Sequence, residues 1–145
     1  MKVVLQRVNE AVVKVEEKIV GKINKGVLIL LGIDKGDTDD KIDYLVDKIK
    51  NLRIFAGEGS EFDKSLIDIN GEVMIVSQFT LSGNCSKGRR PDFFQAEEAQ
   101  KANEMYEKFV KKFEQTGLHV ATGKFQSYMQ IELINDGPTT FILEK

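Results

Sequence analysis

The chain has 145 residues, 41% of them apolar and 30% charged, with a formal net charge of −2. That is the ordinary size of one domain with its own core, so a single domain over 1–145 without a linker is expected, and disorder is excluded. A mildly acidic chain does not wrap long stretches of nucleic acid, because such binding draws on phosphate neutralisation; any RNA contact must run through a local basic patch.

One cysteine, Cys85, excludes an intrachain disulfide and fits a reducing, cytoplasmic setting. With one histidine, His119, the common protein-only zinc sites are not expected, and no cofactor motif is present. Arg7 and Glu10 interrupt any signal-peptide core, and the longest apolar run, Val27–Gly32 with Ile33, is too short to span a bilayer.

In chain order, Val3, Leu5 and Arg7 alternate with Val4, Gln6 and Val8, and Ala11–Val15 and Lys18–Ile23 follow around Glu16-Glu17. All three stretches read as strands. Gly26–Ile33 is a continuous apolar run, expected as a central buried strand. Asp37-Thr38-Asp39-Asp40 predicts a helix start capped by a short acidic side chain. Ile42, Leu45, Val46, Ile49 and Leu52 then supply one apolar face. Gly57–Ser60 breaks the chain, and Glu72–Leu81 reads as another buried strand.

Asp92–Gln95 precedes a second helix with an inward stripe of Ala99, Ala102, Tyr106, Phe109 and Phe113, ended by Gly117. Lys108, Lys111 and Lys112 are expected on its solvated face. Two strands, about Phe125–Ile134 and Thr139–Leu143, are predicted to close the chain. The sum is an α/β domain, a rolled or barrel-like sheet with two helices packed on it. The irregular element order argues against a Rossmann-like doubly wound sheet.

Three segments have groups suited to chemistry. Ser77-Gln78-Phe79-Thr80-Leu81 brings hydroxyl and amide groups to the end of a buried strand, where they either line a pocket or bond to local backbone. Asn135-Asp136-Gly137-Pro138 reads first as a hairpin connection, since Gly and Pro supply turn dihedrals. Lys87, Arg89 and Arg90 form a short basic loop that either holds phosphates or is merely solvated. His119 is far in sequence from Ser77 and Thr80, so no Ser/His/Asp triad is legible. Cys85 has no identifiable activating neighbour.

Together these segments resemble the D-aminoacyl-tRNA deacylase family, the bacterial and eukaryotic type also called D-Tyr-tRNA deacylase. The resemblance runs from Val4-Leu5-Gln6-Arg7-Val8 through Gly26–Gly32, Leu52-Arg53-Ile54-Phe55, Ser77–Leu81 and Lys87-Gly88-Arg89-Arg90-Pro91. It closes with Thr122-Gly123-Lys124-Phe125, Met129 and Asn135-Asp136-Gly137-Pro138. Each piece is weak alone; their order and spacing make the signal specific. Gln126, Ser127 and Tyr128 stand where the family has mostly small residues, Thr139 where it has Val, Asn84-Cys85 where it has an acidic-Thr pair, and Phe62-Asp63 where Met-Asn is common.

The resemblance implies a homodimer acting on aminoacylated tRNA, with active sites at the subunit interface and no cofactor. Ser77, Gln78, Phe79 and Thr80 would form the pocket floor, with Met129 nearby. Gly137 and Pro138 would match a Gly-cis-Pro motif entering the partner's pocket, held by Arg7. Its carbonyls would fix the substrate ammonium, so that an L side chain collides with the motif and a D side chain points into open space. Glycine mischarged on tRNA(Ala) would also be accepted. Backbone N–H groups near Phe79 and Thr80 would stabilise the oxyanion, with the ribose 2′-hydroxyl assisting water; Thr80 as nucleophile is the rival. Lys87, Arg89 and Arg90 would contact tRNA. Two other classes remain: a non-catalytic module binding the tRNA acceptor end, and a hydrolase of small D-amino acid esters.

Overall fold

The computed structural model describes residues 1–145. Strand β1 (Lys2–Val15), β2 (Lys18–Ile23) and β3 (Gly26–Gly32) are followed by helix α1 (Asp39–Asn51) and strand β4 (Glu72–Ser77). A 3-10 turn (Phe79–Ser82), helix α2 (Ala99–Glu114), β5 (Val120–Thr122) and β6 (Gln130–Glu144) complete the chain. The sheet runs β2-β1-β3-β4-β5, with β6 pairing β1. Only β3-β4 and β4-β5 are parallel. The sheet is therefore mixed, as expected of a rolled rather than a doubly wound architecture.

The stretches expected as separate strands before Val15 are one. The first half of β1 pairs with β3, its second half with β2, and β6 covers the other edge along nearly all its length. Glu16 and Glu17 both have positive φ, 50° and 65°, the turn geometry whose twist suits a two-residue hairpin. The sheet curls until β2 nears β5. At Gly21 a Cβ atom would lie 2.6 Å from the Thr122 carbonyl, so this close approach requires glycine.

The curl gives β3 and β4 two buried faces, which explains their unbroken apolar runs. Val27, Ile29, Leu31, Val73 and Ile75 face the helices and pack with Ile42, Leu45, Ile49, Phe109 and Phe113. Leu28, Met74 and Val76 face the roll interior with Val8, Ala11, Val13 and Ile23. At about 1.5–3 kcal/mol per fully buried large side chain, the helix-facing layer dominates stability.

The expected acidic cap does not form. Thr38 precedes α1 without a side-chain cap bond. The Asp37 carboxylate instead accepts from the Met1 α-ammonium (2.6 Å), the Asp34 N–H (2.7 Å) and Lys41 (2.9 Å). Burial opposes its ionisation, but these bonds hold its pKa below 3.8. Lys108 and Lys112 lie on a solvated face, as expected, and there also pair with Asp39 and Asp43 of α1, both at 2.7 Å. The expected closing hairpin is also absent, since both halves of β6 pair antiparallel with β1 as parts of one strand from Gln130 to Glu144. No helix is long and apolar enough to cross a membrane.

Candidate active site

Beyond β4 the ladder ends, and the chain turns across the mouth of a cavity of about 670 Å³. That volume lies within the usual range for small-molecule sites. Val76, Ser77, Gln78 and Phe79 form its floor beside Leu31 and Ile33. Ala96, Ala99 and Ala102, at and before the start of α2, form one wall. Phe125–Met129 and Ile131 form the other.

Two buried contacts hold these walls. The Tyr106 hydroxyl donates to the Ile75 carbonyl at 2.8 Å, fastening α2 over β4. Burial pushes that phenol up to about 12, so it stays a donor. Phe125 packs on the Tyr106 ring at 5.9 Å between centroids, extending the support to the second wall.

The floor is fixed through its main chain. The Gln78 N–H donates to the Leu31 carbonyl at 2.8 Å, and Leu81 and Gly83 donate back to Gln78 (3.2 Å) and Thr80 (3.0 Å). The N–H groups of Phe79 and Thr80 precede the first bond of this turn, which leaves them no acceptor within it. The Gln78 side-chain amide donates to the Thr80 hydroxyl. Phe79 is 61% exposed and meets Phe93 edge to face at 5.1 Å. Of the four floor residues expected from sequence, Ser77, Gln78 and Phe79 line the cavity; Thr80 sits exposed at its edge.

Met129 lines the opposite wall, where its sulfur accepts from the Lys124 N–H at 3.3 Å. A Cβ at Gly123 would come within 2.6 Å of that sulfur, so glycine leaves the thioether its place. Gln126 has φ +55°, a left-handed conformation that glycine adopts most readily.

Sequence reasoning missed Glu97, which also lines the cavity. Lys101 pairs with it at 2.7 Å, and this bond together with the Glu98 N–H holds its carboxyl below the usual 4.5. It is thus ionised and a weak base. Its i,i+4 spacing to Lys101 was the available signal, but nothing in the spacing points to a cavity.

Gly137 and Pro138 do not line their own chain's cavity. The peptide between them is cis. The residues expected as a hairpin turn are instead a projection within one strand: β6 pairs Asn135 with Val8 and Thr140 with Gln6, so Asp136–Thr139 lie opposite Arg7 alone. Four residues against one must leave the ladder. Arg7, 8% exposed, holds the projection's base. Its Nε–H donates to the Asp136 carbonyl at 2.9 Å and lies 3.0 Å from the carboxylate, while Nη1 donates to the Ile54 carbonyl.

Gln6 has a role not foreseen for it. Its amide donates to Asn135 at 2.8 Å and accepts from the Thr140 hydroxyl at 3.0 Å, so one side chain bridges both ends of the projection.

Lys87, Arg89 and Arg90 lie in an exposed loop, closed at its base by mutual Asn84–Asp92 backbone bonds of 2.9 and 3.1 Å. They make no salt bridge and do not line the cavity. The loop leaves the floor at Ser82 and returns at Phe93, whose ring touches Phe79. Cys85 is exposed in the same loop, and exposed His119 precedes β5 outside the cavity.

The family model for D-Tyr-tRNA(Tyr) deacylase matches residues 4–144. A D-aminoacyl-tRNA deacylase of Geotalea daltonii is 54% identical over 144 residues, covering 99% of this chain and 96% of that protein. One from Clostridioides difficile is 50% identical, with 99% and 97% covered. Among solved structures, a c-Myc DNA unwinding element binding protein superposes with a TM-score of 0.94 at 40% identity, covering 100% of this chain and 99% of the other. A structure described as a probable eukaryotic D-amino acid tRNA deacylase shares the fold, with a TM-score of 0.84 at 20% identity over 98% and 97% of the two chains. With matches of this strength along its whole length, the chain belongs to the D-Tyr-tRNA(Tyr) deacylase family.

Proposed function

We propose that this chain hydrolyses the ester of D-aminoacyl-tRNA in the cytoplasm, releasing free D-amino acid and tRNA. One observation carries the reading: in a member of this family, Ser77, Gln78 and Phe79 floor a cavity of about 670 Å³ with mostly apolar walls. Such a cavity suits the aminoacyl end of a tRNA and is too small for its stem.

In the proposed reaction a water oxygen adds to the ester carbonyl. The developing oxyanion faces the N–H groups around Phe79 and Thr80, a stabilisation worth about 3–4 kcal/mol per donor in other hydrolases. The intermediate then collapses, the bond to the ribose oxygen breaks, and that oxygen takes up a proton. The neighbouring 2′-hydroxyl orients water and relays the proton. The one carboxylate lining the cavity, Glu97, is a weak base tied to Lys101. A Thr80 nucleophile would need a base, and the partner of its hydroxyl is the Gln78 amide, a donor.

Chiral selection is assigned to Gly137 and Pro138 acting across a homodimer. Two observations support this. The pair is exposed and outside its own cavity. Its strand also leaves Leu133, Ile134 and Ile142 exposed, an apolar surface suited to a second copy. With the ammonium fixed by the partner's Gly137 and Pro138 carbonyls, only a D side chain or glycine avoids collision, so glycine mischarged on tRNA(Ala) is also a substrate. Lys87, Arg89 and Arg90 meet the phosphates of the acceptor end.

The test is hydrolysis of matched D-Tyr-tRNA, L-Tyr-tRNA and Gly-tRNA, with a D-Tyr-tRNA ending in 2′-deoxyadenosine beside them. The D and glycyl esters should be cleaved and the L ester spared, and the deoxy substrate should react about 10²-fold more slowly or worse. Background decay of all three natural esters would reject the enzyme and leave an RNA-binding module. Cleavage of a small D-tyrosyl ester as fast as the tRNA would favour a simple esterase.

A further inference from the structure

Tyr128 is a residue the reaction above does not use. It lines the cavity, yet is 86% exposed, so its ring stands on the rim with one side to solvent. A lone exposed tyrosine is ordinary. This one differs in the fixed backbone beneath it.

Burial alternates from Phe125 to Ile131, with Phe125, Ser127, Met129 and Ile131 turned inward and Gln126, Tyr128 and Gln130 outward. Phe125 is anchored on Tyr106. The Ser127 N–H donates to the Lys124 carbonyl at 3.3 Å, and the Lys124 N–H to the Met129 sulfur at the same distance. From Gln130 onward the chain is in β6. The segment is held on both sides, with Tyr128 facing outward next to inward-facing Met129. The ring packs on no other aromatic, and its hydroxyl makes no hydrogen bond within the chain.

We propose that Tyr128 is a stacking platform for the unpaired nucleotide preceding the terminal adenosine of the substrate tRNA. The proposal rests on placing the ester in this cavity. If the aminoacyl end fills it, the next nucleotide leaves across the rim. Every tRNA ends in the same unpaired cytidine-cytidine-adenosine, and unpaired RNA ends are commonly bound by stacking on aromatic rings. Stacking tolerates any base and leaves the rest of the tRNA unread, which suits an enzyme serving many tRNAs. The neighbouring Lys124 is exposed and in no salt bridge, so it adds a free positive charge beside the path of the backbone.

The test compares wild type, Tyr128→Ala and Tyr128→Phe on D-tyrosyl-tRNA and on 3′-O-D-tyrosyladenosine, which lacks the penultimate nucleotide. Tyr128→Ala should raise KM for the tRNA by roughly fivefold to a hundredfold, the range of one base–aromatic stack, with kcat nearly unchanged. KM for the adenosine ester should rise far less than KM for the tRNA, and Tyr128→Phe should behave as wild type. NMR titration with the trinucleotide CCA and with adenosine reads the contact without catalysis; only CCA should weaken in Tyr128→Ala.

An unchanged KM for tRNA would overturn the proposal. So would an equal rise with both substrates, which would put the ring against the adenosine, or loss in Tyr128→Phe, which would make the hydroxyl the contact. A Tyr128→Ala variant whose oligomeric state changes would assign the ring to a subunit interface instead. If wild type leaves D-tyrosyl-tRNA intact, the deacylase reading falls, while the CCA titration still decides the ring.

Discussion

The cavity floor at 77–82 and the projection at 136–139 are both places where a strand leaves its ladder, but they are held in opposite ways. The floor is secured by main-chain bonds to β3 and within its own turn, above a strand packed on two faces. The projection is secured largely by two side chains of β1, Arg7 and Gln6, and presents Gly137 and Pro138 to solvent. Geometry built from main chain and core resists most single substitutions. Geometry hung on two side chains does not. The floor should therefore lose its shape only with the fold, whereas the projection can be loosened alone.

Phe109→Ala tests the first half of that contrast and has the largest expected effect. The ring is fully buried between the helices and the sheet, and its removal should cost about 3–5 kcal/mol of stability by denaturant unfolding. D-ester kcat of the protein that remains folded should change little. A selective loss of kcat at unchanged stability would mean that the floor depends on local contacts after all.

Arg7→Ala should come next. It removes the charged bonds to Asp136 and leaves the Ile54 carbonyl without its donor, at a cost of about 1.5–3 kcal/mol. The telling readout is the ratio of D-Tyr-tRNA to L-Tyr-tRNA cleavage, which should fall at temperatures where the variant is fully folded. An unchanged ratio would separate the projection from chiral selection.

The smallest effect is expected from Gln6→Ala. Its two bonds are exposed, so stability should drop by about 1 kcal/mol or less. The D/L ratio should move in the same direction as in Arg7→Ala, though less. A ratio unaffected by Gln6 but sensitive to Arg7 would put the whole restraint at the Asp136 end.

Much of the fold was legible in the sequence because burial leaves a period. The alternation of β1, the unbroken apolar run of β3 and the three-and-four spacing in α1 and α2 follow from which faces meet water. Ser77, Gln78 and Phe79 end such a run, which alone left pocket lining and local backbone bonding both open; the resemblance pointed to the pocket. The failures share a cause. Asn135-Asp136-Gly137-Pro138 has turn composition, yet whether such a segment ends a strand or bulges from one depends on the partner ladder, and β1 is more than a hundred residues away in sequence. Asp37 has cap composition, but ammonium groups brought from Met1 and Lys41 compete for its carboxylate.

By itself, then, the sequence determined the element types, the two helical faces, the rolled class of sheet and the segments whose joint spacing marks the family. Those rest on local periodicity and on motif order, which a chain carries without folding. Only the tertiary structure decided that Glu97 and Tyr128 share a cavity with Ser77, and that Gln6 joins Arg7 in gripping the projection. Each depends on long-range pairing, which sets distances between residues that no local pattern relates.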